Sequence, residues 1–163
     1  MAGILTFEEE LSALLPRLRR FAHALSRNSA VADDLTQMTI ERALRSKDQW
    51  RPGTRLHSWA CTIMRNLWID TVRSRSRKEA FEAPAVEVEK VGDGGGSLEA
   101  SVELNRVMAA MQKLPEEQRE IVALILVEGF GYREASEMLQ LPIGTVSSRL
   151  VRGRTALLEL LGE

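Results

Sequence analysis

The residues with the clearest chemical potential are basic, and they are concentrated in two short stretches. Residues 144–154 contain three arginines and no acid, a net charge of +3. Residues 65–78 contain five basic residues and one aspartate, a net charge of +4, although the whole chain has a net charge of only −1. Because arginines attract phosphates, both stretches favour nucleic-acid binding.

Three tryptophans lie near the second basic stretch: Trp50, Trp59 and Trp68. Aromatic rings that stack on bases beside a basic surface are typical of single-strand binding. Tryptophans at helical spacing also pack in cores, and we expect this of Trp59. Trp50 precedes the Pro52-Gly53 turn and is the better candidate for a functional role, whereas Trp68 stays unassigned.

No residue pattern in the chain is typical of an enzyme or a metal site. Cys61 is the only cysteine, and His23 and His57 have no partner at catalytic or ligand spacing. We therefore predict no catalytic residue, no cofactor and no metal. The sequence shows neither a secretory signal nor an apolar run near the roughly 20 residues that span a bilayer, which predicts a cytoplasmic protein with no membrane partner.

Apolar side chains repeat with a period near 3.6 along most of the chain, which predicts helices. The basic residues are therefore expected to be positioned by helices. The spacing predicts helices over 11–25, with a kink or restart at Pro16, over 31–44 and over 56–73. The inward-facing side chains expected on the second of these helices are Val31, Leu35, Met38 and Leu44.

An acidic, glycine-rich segment divides the chain. Residues 79–103 contain seven acids and one lysine, a net charge of −6, and residues 94–96 are three consecutive glycines. Such a composition favours a flexible, solvated linker. The prediction is an all-α chain of two small helical domains, residues 1–80 and 99–163, joined by a flexible acidic linker over 81–98.

The second predicted domain begins with a helix near Leu98 and continues with one that starts at Pro115 and ends at Gly129 or Gly131. The side chains expected on the inner face of its first helix are Leu104, Val107, Met108, Met111 and Leu114. Residues 132–150 then have helix-turn-helix spacing.

The helix-turn-helix pattern separates buried from exposed residues. The side chains expected to form its core are Ala135, Leu139, Leu141, Val146 and Leu150. The side chains left largely exposed for a major groove are Ser147, Ser148, Val151 and Arg152, with Arg149 and Arg154 adding attraction for phosphates. A helical hairpin with a solvated basic face is the structural alternative.

Four motifs, in order, resemble those of bacterial RNA polymerase sigma factors. Residues 33–37 (Asp-Asp-Leu-Thr-Gln) and 58–70 resemble sigma region 2, and residues 114–119 and 144–150 resemble region 4. The match covers nearly the whole chain and leaves no room for other sigma regions. The chain is therefore similar to the extracytoplasmic function (ECF) group.

Other residues refine this resemblance. Residues 32–35 and 50–54 are similar to the alphaproteobacterial general-stress (EcfG-like) subgroup, which implies control by a small anti-sigma factor. Two positions depart from the family pattern: Cys61 replaces a bulky apolar residue, and Ser147 replaces the lysine or arginine of many relatives.

The resemblance implies a role for each surface. The residues expected to dock on the β′ clamp helices of core RNA polymerase, which also contacts sigma factors through its β subunit, are Asp33, Asp34 and Gln37. The residues expected to bind the separated −10 strand are Trp50, Ser58, Asn66, Asp70 and Arg73. The residues expected to bind the −35 duplex are Ser147, Ser148, Arg149, Val151, Arg152 and Arg154. The implied partners are core polymerase, promoter DNA and an anti-sigma factor, and we expect the free protein to be a monomer.

Two other functions remain open at this point. A stand-alone helix-turn-helix regulator needs a sensing or dimerising domain, and half-site recognition usually needs a symmetric dimer. A sigma-mimicking adaptor would bind only an inhibitor and support no transcription. An enzyme is the least supported class.

Overall fold

The computed structural model describes residues 3–78 and 98–163, and within these ranges the protein is all-α, as predicted, with no strand. The predicted linker, residues 81–98, lies outside the described residues except for its last position. The helices form two groups, here called the N-terminal bundle and the C-terminal bundle.

The N-terminal bundle consists of α1 (Phe7–Ala13), α2 (Leu15–Ser26), α3 (Ser29–Arg45), a short 3-10 turn (Lys47–Gln49) and α4 (Leu56–Lys78). The restart predicted at Pro16 is confirmed, because α1 ends at Ala13 and α2 begins at Leu15 with the proline in its first turn. The side chain of Asn28 caps α3 by accepting a hydrogen bond from the Val31 amide at 3.0 Å.

Helix α3 packs on α2 and α4 through small residues, which corrects part of the predicted core. Leu35 is buried as expected, but Met38 and Leu44 are 43% and 44% exposed. The buried face consists of Ala32, Leu35, Thr36, Thr39 and Ala43. The two threonine hydroxyls donate to carbonyls one turn back at 2.7 Å, so they are buried with their hydrogen bonds made, and the small side chains let the helices approach closely.

The C-terminal bundle consists of α5 (Leu98–Met111), α6 (Glu116–Val122), a π-helical turn (Ala123–Val127), α7 (Tyr132–Leu139) and α8 (Ile143–Leu161). Pro115 is the N-cap residue of α6, so this helix begins at Glu116, one residue later than predicted. The apolar run ends before Gly129, whose φ of 78° favours glycine, so the predicted end is confirmed. Leu104 is 39% exposed, contrary to prediction, because burial on α5 is concentrated in its last turn, at Met108, Ala110 and Met111.

The two bundles pack against each other. Helices α2 and α4 of the N-terminal bundle contact α6, the π-helical turn and α7 of the C-terminal bundle. Phe130, which follows the π-helical turn, is 2% exposed at this junction, with its ring centroid 4.7 Å from that of His57. The sequence contained no signal for this arrangement.

Candidate nucleic-acid and polymerase interfaces

Helices α7 and α8 form the predicted helix-turn-helix. The turn passes through Gln140, whose φ of 53° lies in the left-handed region, and the Leu141 amide donates to the Ser136 carbonyl at 3.1 Å. Ala135 and Val146 are completely buried and Leu150 is 5% exposed. These contacts fix α8 against α7, as the spacing predicted.

The outer face of α8 carries most of the residues predicted to bind duplex DNA. Ser148, Val151, Arg152 and Arg154 are exposed, Val151 by 63%. Ser147 is half-buried. Arg149 is also half-buried, and a guanidinium nitrogen lies 3.7 Å from a carboxylate oxygen of Glu117 on α6. Its side chain is therefore oriented toward α6.

Gly153 on the inner face of α8 sets the distance between α8 and α6. A Cβ at this position would lie 2.8 Å from Val122 Cγ2 and 3.3 Å from Gln118 Cβ. Only glycine allows this approach without a shift of the helices. The position of the exposed face of α8 therefore depends on a residue that sequence analysis did not single out.

Helix α4 brings Asn66, Asp70 and Arg73 together. All three are exposed, and their spacing of four and three residues aligns them on one side of the helix, here called the α4 stripe. Met64 and Trp68 are buried on the opposite side, which gives the unassigned Trp68 a place in the core. The stripe can present an amide, a carboxylate and a guanidinium to one ligand.

Trp50 and Ser58 lie apart from this stripe. The Trp50 ring is half-buried with its centroid 5.5 Å from that of Phe7, and Trp59, also half-buried, lies on the same phenylalanine at 6.0 Å. Trp59 thus contacts the core, as expected, without full burial. Trp50 packs on the bundle instead of projecting from its loop.

Ser58 lines a cleft of about 510 Å³ between α4 and α7. From the N-terminal bundle, the walls of the cleft include Arg55, Ser58 and Trp59, and from α7 they include Glu134 and Glu137. The cleft combines arginine with hydroxyl and aromatic surface. Its two carboxylates come from the opposite bundle.

The residues predicted to dock on polymerase lie at the start of α3. Asp33, Asp34 and Gln37 are exposed, and Asp33 pairs with Arg19 at 3.5 Å. Met38 is exposed one turn after Asp34, so this polar surface also includes an apolar side chain. Sequence analysis placed Met38 in the core and missed it here.

A charged cluster that sequence analysis missed is buried between the bundles. The Glu128 carboxylate is fully shielded and accepts hydrogen bonds from Arg20 Nε at 3.2 Å and Nη2 at 3.1 Å. His57 Nε2 lies 3.1 Å from the same carboxylate. The two groups form an ion pair when the ring is protonated, although their orientation is not that of a hydrogen bond. The partners are up to 108 positions apart, so no local pattern could reveal them.

Burial shifts the pKa of several groups near the junction. Desolvation, and then the charge of Arg27, lower the pKa of Arg119 to about 10, which leaves it charged at neutral pH. Desolvation raises the pKa of the Glu120 carboxyl, against the opposing pull of Arg65. Burial and then the Glu128 charge raise the pKa of the Cys61 thiol well above its ordinary value.

The described residues offer little for other chemistry. In residues 3–78 and 98–163, no group of three histidine, cysteine or acidic side chains could hold a metal ion. None of the helices that the structure describes is long and apolar enough to cross a membrane.

Comparisons with known proteins agree with the two bundles. The model of sigma-70 region 2 matches residues 11–78, and that of sigma-70 region 4 matches residues 104–157. The chain is 37% identical to the ECF RNA polymerase sigma factor EcfG of Rhodopseudomonas palustris, over 96% of this chain and 85% of the relative. It is 31% identical to the RNA polymerase sigma factor CarQ of Myxococcus xanthus, over 96% and 90% of the two chains.

A solved structure agrees over nearly the whole length of the chain. The sigma factor RpoE of Bartonella quintana, in complex with the anti-sigma factor NepR, superposes with a TM-score of 0.84 at 35% identity, over 96% of both chains. The fold and these matches therefore identify the chain as a transcription initiation factor. The chain belongs to the ECF group of the sigma-70 family, whose members direct RNA polymerase to promoters.

Proposed function

We propose that α8 reads the −35 promoter element as duplex DNA. The support is the exposed face of α8, where Arg152 and its neighbours project from a helix held rigidly by Val146 and Leu150. Arg152 can pair bidentately with a guanine edge, Ser147, Ser148 and Val151 border it, and Arg154 and Arg149 attract phosphates. The proposed function rests on this exposed face of α8.

The −10 element is bound as a separated strand by the N-terminal bundle. The α4 stripe of Asn66, Asp70 and Arg73 supplies hydrogen bonds and a cation, and Ser58 lies in the neighbouring cleft. Binding of an unpaired strand offsets the cost of unstacking, about a few kcal/mol per flipped base, so melting needs no covalent step. The family resemblance implies that Trp50 also binds this strand.

Core RNA polymerase is bound through α3. Asp33, Asp34 and Gln37 form an exposed polar surface that suits the β′ clamp helices, and the exposed Met38 adds apolar contact. The proposed domains are residues 1–80 and 99–163. A tether over 81–98 gives the second promoter contact a high effective concentration once the first is made.

An anti-sigma factor controls this chain in the cell. The support is the similarity to RpoE of Bartonella quintana, which was solved in complex with NepR, and to EcfG, which favours the general-stress subgroup. The chain acts in the cytoplasm as a non-enzymatic partner of polymerase, and it is a monomer when free.

Run-off transcription with sigma-free core polymerase, purified protein and a genomic promoter pool tests this function. Specific transcripts that depend on the protein are expected, and their start sites give the promoter elements. Duplex binding without transcription would favour the stand-alone regulator. Binding to an anti-sigma factor without transcription would favour the sigma-mimicking adaptor.

A further inference from the structure

The outer face of α8 has a regular arrangement around its centre. Four exposed residues lie on one side of the helix with the spacing i, i+3, i+4 and i+7: Ser148, Val151, Arg152 and Thr155. Four buried residues lie on the other side: Val146, Leu150, Gly153 and Leu157. Each buried residue is two positions from an exposed one, which at 3.6 residues per turn is a rotation of about 200°. The exposed four therefore point away from the bundle, toward whatever α8 binds.

The three central residues of this face differ in chemistry. The Arg152 guanidinium can only donate hydrogen bonds. The Ser148 hydroxyl already donates to the Thr145 carbonyl at 3.1 Å, so it meets a partner as an acceptor. Val151 lies between them and can contribute only apolar contact.

Val151 brings no benefit to the free chain. Its side chain is 63% exposed, so it adds little packing, and valine has a lower helix propensity than alanine. In a helix, however, the branched side chain is held near one rotamer, so its two methyl groups have fixed positions. A rigid apolar group on a polar face is suited to an apolar group of a partner.

The major groove of DNA offers one such group. Thymine presents its C5 methyl there, whereas the other bases present hydrogen-bonding groups. We propose that Val151 packs against the C5 methyl of a thymine in the −35 element and so specifies an A·T pair beside the guanine read by Arg152. This inference rests on the proposed function of α8 and adds the base that its apolar position selects.

Substitution of deoxyuridine for thymine tests the contact, because deoxyuridine forms the same base pair and lacks the methyl group. The full chain is bound, together with core polymerase, to a promoter duplex recovered by run-off transcription. Each thymine of the −35 element, on either strand, is replaced in turn. One replacement should weaken binding by about fourfold, the contribution of one buried methyl group.

The variant Val151→Ala should abolish the effect of that replacement, because the methyl group then has no partner. It should also weaken binding to the thymine duplex by a similar factor. The matched control is Val102→Ala, since Val102 on α5 is also an exposed valine, at 59%. The control should keep both the affinity and the deoxyuridine effect. The Tm of Val151→Ala should not be lower than that of the wild type, which separates a lost contact from misfolding.

The outcomes distinguish this inference from the function on which it rests. A deoxyuridine effect that persists in Val151→Ala would overturn the inference and leave the −35 role of α8 in place. Equal weakening of Val151→Ala on thymine and deoxyuridine duplexes would assign Val151 to a protein contact, and would also overturn it. Indifference of the wild type to every replacement would do the same. A chain that supports no transcription would contradict the proposed function, and this inference with it.

Discussion

The substitution Gly153→Ala tests how α8 is positioned. The added Cβ would lie 2.8 Å from Val122 Cγ2, and Val122 is 1% exposed on the facing helix. A buried β-branched side chain cannot turn away freely, so the helices must shift. Overpacking of this kind costs about 1–3 kcal/mol, while alanine in a helix gains about 1 kcal/mol over glycine. The net effect is a loss of about 0–2 kcal/mol.

Gly144→Ala is the matched control, because it lies on the same helix and its Cβ would meet no atom within 4 Å. Gly144 lies in the first turn of α8 and Gly153 in its interior, so Gly153→Ala should be less stable than Gly144→Ala by the clash less any difference in helix propensity, up to about 3 kcal/mol. Thermal unfolding followed by circular dichroism measures this difference, at about 2–4 °C in Tm for each kcal/mol.

A double-mutant cycle tests the cause. In the Gly153→Ala background, Val122→Ala removes the clashing methyl and should cost less than it does in the wild type, where it only leaves a cavity. Equal Tm values for Gly153→Ala and Gly144→Ala would refute the close approach of α6 and α8. Additive costs of the Gly153 and Val122 substitutions would refute the clash as its cause.

Three further predictions concern the functional surfaces and the core. Arg152→Ala should weaken −35 duplex binding by about 1–3 kcal/mol, more on one sequence than on others, whereas Lys113→Ala, an exposed control, should not; an equal loss on every sequence would make Arg152 a phosphate contact. Asn66→Ala should impair open-complex formation in a permanganate footprint and leave core binding intact, and lost core binding would show that the surface is misplaced. Because the pKa of the Cys61 thiol is raised in the folded state, its contribution to stability is fully present only at a pH below the ordinary thiol pKa of 9.0. Above that pH the free energy of unfolding should fall, relative to Cys61→Ala, by about 1.4 kcal/mol per pH unit, and a constant difference from pH 7 to pH 10 in urea titrations would contradict this.

Much of this protein is determined by local sequence. Helix bounds follow from the 3.6-residue period, the restart at Pro16 and the cap at Asn28, because these depend on neighbours along the chain. The helix-turn-helix could be predicted for the same reason, because Ala135, Val146 and Leu150 are buried against helices that are adjacent in the chain. The four ordered motifs then indicated the family.

The 3.6-residue period predicted the wrong buried residues where burial depends on which other helix packs against a face. Met38 and Leu44 have the right spacing for a core face, yet α3 packs through small residues because α2 and α4 lie close to it. An apolar side chain at helical spacing shows which face it is on, but not whether another helix covers that face. This also explains the exposure of Leu104.

Only the tertiary structure decided how the two bundles meet. Glu128 appeared in the sequence as a lone acid after an apolar run, and its partners Arg20 and His57 are far away in the chain. A buried carboxylate requires compensating charges, but nothing in the local pattern indicates which ones supply them. The sequence by itself determined the helices and the family. The structure decided the glycine contact that positions α8 and the buried charges that join the bundles, because both depend on the distance between elements that are remote in the chain.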